Sequence, residues 1–365
     1  MAPLALYVAD PALKGGLAPL AIQTAGRDGG TETLYRPTDR DWLLARTVVQ
    51  IADENMQGVL VHLGWCHMII QRFILAAHRQ LAPEHPLMRL FAPHFELTLA
   101  VNQVARNSVV DPGGVQDRLL APVLEAQLSA LDASLREIDL ASLDPNVDFA
   151  RRGVAERDAL PVYPFRDDSL PLWDATRAFV DGYVRLYYAS DEDVRRDTEL
   201  AAMLREVGAP DGGQLPRLIE GVSLSCIEDV VALVTRVIFR ATTYHAGIND
   251  SNYDWAGYVP NMPTAGFSAL PPRGEGGDEA LARMLPSTQL GWETITATYQ
   301  VAQLQTNRFG VYAPGTFRDE RAQPLLDALS SALADIERRT NERNTVRPIP
   351  YDYLLPSRIT ASINA

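Results

Sequence analysis

Met56-Gln57-Gly58-Val59-Leu60-Val61-His62-Leu63-Gly64-Trp65-Cys66-His67-Met68-Ile69-Ile70-Gln71 is the most apolar run of the chain, and it carries two histidines five positions apart. A regular α-helix would place them about 140° apart, too far to share a ligand. A π-wound segment, bonded i→i+5, brings them onto one face, and such segments concentrate at functional sites. The run falls short of the ~18 uncharged apolar residues of a membrane span. Just upstream, Thr38-Asp39-Arg40-Asp41 offers capping residues ahead of Trp42, Leu43, Val48, Val49 and Ile51, with Asp53 and Glu54 on the polar side, so a helix leads into it.

Working outward, apolar periodicity predicts helix over 56–78, 86–110, 116–143, 173–188, 219–248, 279–307 and 318–343. Residues 161–171 and 249–272 read as irregular, and 347–365 as extended. Residues 1–37 hold two short apolar runs, Leu4–Val8 and Pro19–Gln23, separated by Lys14-Gly15-Gly16 and followed by turn-rich residues 26–33, so they read as strands and turns. The expectation is a mainly α single domain over 1–365, with a helical core over 38–365 and a few short N-terminal strands.

Composition narrows the function. The chain has 365 residues, with 33 Lys+Arg against 46 Asp+Glu, a formal charge of −13. Such an acidic chain lacks the footprint of a phosphate-backbone binder, and anionic membranes repel it. Cys66 and Cys226 allow at most one disulfide, which fits a reducing cytoplasm. There is no P-loop, no His-Glu-x-x-His and no Gly-x-Ser-x-Gly; Gly221-Val222-Ser223-Leu224-Ser225 lacks the last glycine and falls in the helix predicted over 219–248.

The remaining chemistry lies with the histidines. His245 and Asn249, four apart, share one face of a regular helix. Both they and the His62/His67 pair lie in apolar helices, where an unpartnered imidazole or amide is costly. Three imidazoles plus an amide oxygen suit a first-row transition metal better than zinc, which prefers four tetrahedral N/S ligands.

These residues sit in a wider pattern. Asp41-Trp42-Leu43-Leu44-Ala45-Arg46, Ala52-Asp53, Gln57, His62, Leu63 and His67 are followed by His85-Pro86-Leu87 and Pro93-His94-Phe95. Arg166-Asp167-Asp168 with Leu170 and Trp173 comes next. Tyr244-His245-Ala246-Gly247-Ile248-Asn249, Tyr253-Asp254-Trp255, Pro260-Asn261-Met262-Pro263 and Pro350-Tyr351-Asp352-Tyr353-Leu354 complete it, in collinear order over the whole chain. The pattern resembles the lipoxygenase catalytic domain, in a shortened, bacterial-type form.

The resemblance implies a non-haem iron site, with manganese the alternative metal, held by His62, His67, His245, Asn249 and the main-chain carboxylate of Ala365. It implies a dioxygenase in which a ferric hydroxide takes hydrogen from the 1,4-pentadiene of a polyunsaturated fatty acid and O2 is added to give a hydroperoxide. Gln57 and Asn252 would lie just outside the metal ligands, and Leu63 and Ala105 would line the substrate pocket, alanine at 105 implying an S product. The family's N-terminal β-barrel and the arched helix that roofs its pocket have no counterpart in the sequence. That predicts exposed apolar surface and a homodimer to cover it. Oxygenation of a small non-lipid metabolite and a non-catalytic lipid-binding or interaction module are the competing expectations.

Overall fold

A computed structural model describes residues 2–13, 16–25, 32–302 and 307–364. Strands β1 (Leu4–Asp10), β2 (Gly16–Thr24) and β3 (Thr33–Tyr35) form one antiparallel sheet in that order. Its inner face sets Ile22 and Tyr35 against Ala45 of the first helix. Its outer face leaves Leu4, Leu6, Leu17, Leu20 and Leu34 exposed.

The rest is helical. Helix α1 (Trp42–Met56) passes without interruption into a π stretch (Gln57–Met68) and then α2 (Ile69–Gln80). Helices α3 (Pro86–Phe95) and α4 (Thr98–Ala105) follow, and α4 ends in a π turn (Arg106–Val110). Next come α5 (Val115–Leu119), α6 (Leu124–Glu137), α7 (Pro145–Arg151), α8 (Pro164–Arg185), α9 (Asp191–Arg196) and α10 (Thr198–Gly208). Helix α11 (Ile227–Phe239) runs through a second π segment (Arg240–Tyr244) into α12 (His245–Asn249). Helices α13 (Asn252–Ala256), α14 (Asp278–Met284), α15 (Thr288–Val301) and α16 (Gln323–Asn344) complete the chain.

One large apolar core joins these elements. Ile69, Ile70, Phe73 and Ile74 of α2 and Val230, Val231, Val234, Val237 and Ile238 of α11 all belong to it, with almost no exposure. Because α11 is apolar nearly all round, it can only be accommodated inside. The continuous helix Trp42–Gln80 is long and apolar enough, by length and composition, to cross a membrane, which the single-run reading of 56–71 did not count. Half of its most apolar window is buried in this core.

Several predicted boundaries move, each for a local reason. The run 86–110 breaks at Leu97, whose φ of 63° lies in the left-handed region. Pro122 interrupts 116–143 between α5 and α6, and Leu285-Pro286 divides 279–307 between α14 and α15. Residues 164–171, read as irregular, belong to α8; Pro164 occupies the first turn, where its missing N–H costs nothing. The helix predicted from 219 starts at Ile227, so Ser223 and Ser225 lie outside it, and Asp229 closes a capping box with Cys226. Asp41 does not cap α1. Its carboxylate instead accepts the main-chain N–H groups of Gly274 and, at 2.9 Å, Gly276, tying the loop before α14 to the start of α1.

Candidate metal centre

The π stretch brings His62 and His67 onto one face. Their Nε2 atoms are 3.1 Å apart, and His62 Nε2 is also 3.1 Å from His245 Nε2, delivered by the other π-wound helix. Three ring nitrogens thus converge on one point, all within 4.8 Å of one another. Two nitrogens bound at right angles to one cation at about 2.1 Å would lie about 3.0 Å apart. The spacing fits a shared metal far better than a hydrogen-bond network, since the three rings cannot all donate to and accept from one another.

Burial keeps these rings neutral. It pushes His67 down to about 4, against the opposing hydrogen bond that His67 donates to Asn102. His62 is held well below the ordinary imidazole value by burial and then by His67, and His245 by burial and then by the other two histidines. Neutral imidazole is the form that ligates a metal.

The tautomers are set from outside. Asn102, on α4, donates through Nδ2 to Gln71 Oε1 at 2.7 Å, which fixes its oxygen toward His67 Nδ1, also at 2.7 Å. Nδ1 of His67 therefore carries the hydrogen and Nε2 presents its lone pair, the usual outer support of a ligating histidine. Asn249, one turn after His245, donates through Nδ2 to Val301 O at 2.9 Å. Its buried Oδ1 has no hydrogen-bond partner among the described residues, nor has His245 Nδ1. An orphaned amide oxygen one helical turn from His245, together with the three converged imidazoles, makes a donor set that a first-row transition metal accepts.

Ala365 lies outside the described residues, but the chain leading to it is pinned. His94 Nδ1 donates to Ala361 O at 2.7 Å, Thr98 Oγ1 donates to Ile363 O at 2.9 Å, and Asn364 Nδ2 donates to Asn307 Oδ1 at 2.8 Å. Thr98 and Asn102 sit one turn apart on α4, so one helix supports both His67 and the tail.

Gln57 donates to Ile248 O at 3.0 Å, joining the two ligand helices, while its buried Oε1 has no hydrogen-bond partner among the described residues. Asn252 opens α13, and no hydrogen bond joins it to Gln57. Leu63 belongs to the main core, and Ala105 is half-buried at the end of α4. Asn102 and Thr98 were absent from the sequence reading. Two polar residues in the apolar run Thr98-Leu99-Ala100-Val101-Asn102 were the signal available, since buried amides and hydroxyls need partners.

The sequence pattern of the lipoxygenase family matches residues 12–306. The chain belongs to the lipoxygenase family. It is 35% identical to a linoleate 9/13-lipoxygenase of Pseudomonas aeruginosa, over 100% of this chain and 54% of that protein. It is 33% identical to the human polyunsaturated fatty acid lipoxygenase ALOX15B, over 100% of this chain and 54% of that protein. Among solved structures, a calcium-dependent 11R-lipoxygenase superposes with a TM-score of 0.92 at 26% identity, covering 100% of this chain and 54% of the other. A coral 8R-lipoxygenase gives 0.90, also at 26% identity, covering 100% and 56%. This lipoxygenase chain therefore spans about half the length of the relatives it matches.

Proposed function

We propose that this lipoxygenase-family chain binds a non-haem iron and oxygenates the 1,4-pentadiene of a polyunsaturated fatty acid to a hydroperoxide. The observation that carries the reading is the convergence of three imidazoles, with His62 Nε2 3.1 Å from both His67 Nε2 and His245 Nε2. Membership of a family whose relatives include a linoleate 9/13-lipoxygenase supports the substrate class.

His62, His67 and His245 would hold the metal, with Asn249 Oδ1 and the Ala365 carboxylate as further ligands. When bound, iron supplies the one-electron chemistry for removing hydrogen from a bis-allylic carbon. The protein supplies the rest. Asn102 keeps the His67 hydrogen on Nδ1, so Nε2 stays available. The apolar surroundings keep all three rings neutral and exclude water from a substrate radical. Gln57 ties the two ligand-bearing helices together, so both histidine sets move as one body. Leu63 would shape the channel. Ala105, small and half-buried, would leave one face of the pentadiene open to O2, which predicts an S product.

Iron-loaded protein is expected to consume O2 and develop conjugated-diene absorbance with linoleate or arachidonate, and His245→Ala is expected to lose its metal. Metal bound at the histidines without diene formation would refute the fatty-acid reading and favour a non-lipid substrate. Metal content unchanged by His245→Ala would refute the centre itself.

A further inference from the structure

A separate cavity of about 240 Å³ opens between the π stretch, α6 and the π segment before α12. Arg240 lines it and is only 3% exposed. Its guanidinium lies 3.6 Å over the Tyr244 ring, and Nη2 donates to Ser142 O at 3.2 Å. Nε and Nη1 have no hydrogen-bond partner among the described residues.

No carboxylate there is within ion-pairing distance of Arg240, and the nearby acids are committed elsewhere. Asp148 pairs with Arg152 at 3.1 Å, and Asp144 faces Arg236 at 3.5 Å. Glu137 reaches solvent with 79% of its side chain exposed. A buried cation with unused donors and no counter-charge is expensive, more so than a cation–π contact offsets.

The cavity offers one more donor. Trp65 Nε1 donates to Ser134 Oγ at 2.8 Å, which leaves the serine O–H to donate in turn. The rest of the lining combines the apolar faces of Trp65, Ile138 and Tyr244 with Glu137, Ser142 and Asp148.

We propose that this cavity binds a short-chain carboxylate, its oxygens taking the free Arg240 donors and the Ser134 hydroxyl, its apolar end against Trp65 and Ile138. Arginine is the side chain best suited to a planar carboxylate. The volume is below the ~300 Å³ of pockets for larger ligands, so the chain is short. Glu137 and Asp148 in the lining oppose any anion, a dianion such as phosphate more than a singly charged carboxylate. Trp65 lies between His62 and His67, and Tyr244 adjoins His245, so the occupant touches both segments that carry the histidines.

The test is calorimetric titration of the whole chain with butanoate at fixed ionic strength, with chloride and inorganic phosphate as comparisons. One saturable butanoate site is expected, with no matching response to chloride or phosphate. Arg240→Met is expected to weaken it about tenfold or more. Ser134→Leu fills the cavity while retaining Arg240, and is expected to weaken it similarly. It decides the question if Arg240→Met does not fold. A response no different from chloride, preferential phosphate binding, or butanoate affinity unchanged in a folded variant would overturn the proposal.

Discussion

Replacing Asn102 by leucine removes the acceptor for His67 Nδ1 while keeping a side chain of similar size. His67 Nδ1, now 2.7 Å from the Asn102 oxygen, would be left with its hydrogen unpartnered in a buried site, and Gln71 would lose its donor as well. An orphaned buried donor costs about 1–3 kcal/mol. Loss of an outer partner of a ligating histidine typically weakens metal binding about 10- to 100-fold. A tenfold change is about 1.4 kcal/mol, so the two scales overlap, as expected if the same bond underlies both. Asn102→Asp keeps an acceptor at that position and should retain metal affinity. Iron affinity by chelator competition and stability by urea unfolding should be measured on the same preparations. Asn102→Leu that folds and holds iron as tightly as the unmodified protein would refute the argument that Asn102 sets the tautomer of His67.

Other perturbations follow from the same geometry. His94 is buried and held down to about 4, mainly by burial, against the opposing bond to Ala361 O. Its folded value lies below its unfolded one, so its contribution is intact above about pH 6.5 and is lost as pH falls from there toward 4, by up to about 3 kcal/mol. His94→Asn should flatten the acid side of the stability profile by about that much in urea titrations at pH 7 and 4.5; an unchanged slope would contradict it. Asp168 has no exposure and accepts from Arg343 at 2.7 Å and Arg347 at 2.6 Å. Asp168→Ala leaves Arg347 buried and unpaired, and should cost about 3–5 kcal/mol in thermal or chemical unfolding. A Cβ at Gly247, between His245 and Asn249, would come within 2.5 Å of the Phe165 ring, whereas one at Gly64 meets only a Leu131 methyl at 2.7 Å. Gly247→Ala should therefore destabilise by about 1–3 kcal/mol and lower metal content, with Gly64→Ala milder in both.

Much of the centre was legible because its constraints are local. Five-residue spacing in an apolar run points to π winding, and the structure winds Gln57–Met68 in that way and brings His62 and His67 together; four-residue spacing between His245 and Asn249 needs only a regular turn, and His245–Asn249 is helical. The helical class was legible for the same reason. The supports were not, because they depend on contacts between distant segments. Nothing in the order of residues announces that Asn102 meets His67 or that Thr98 meets Ile363. Nor does Asp41 declare that it will hold Gly276 and leave its own helix uncapped. The break at Leu97 is similar: a non-glycine residue in the left-handed region follows from packing, not from its own preference. The salt bridge Arg166–Asp167 and the cluster around Asp168 show the same limit, since buried and solvated acids look alike in sequence.

Helix α4 is a rod of eight residues with three duties spaced along it: Thr98 grips the tail, Asn102 orients His67, and Ala105 ends it at the half-buried edge. A short α-helix moves as a unit, so a push at one end displaces the other two contacts by the same amount. A bulkier residue at position 105 would therefore also reposition His67 and the tail at Ile363. On the role proposed above for Ala105 beside the substrate, product chirality and metal affinity are then expected to vary together across a substitution series at that position, so that pocket shape could not be tuned there without retuning the centre.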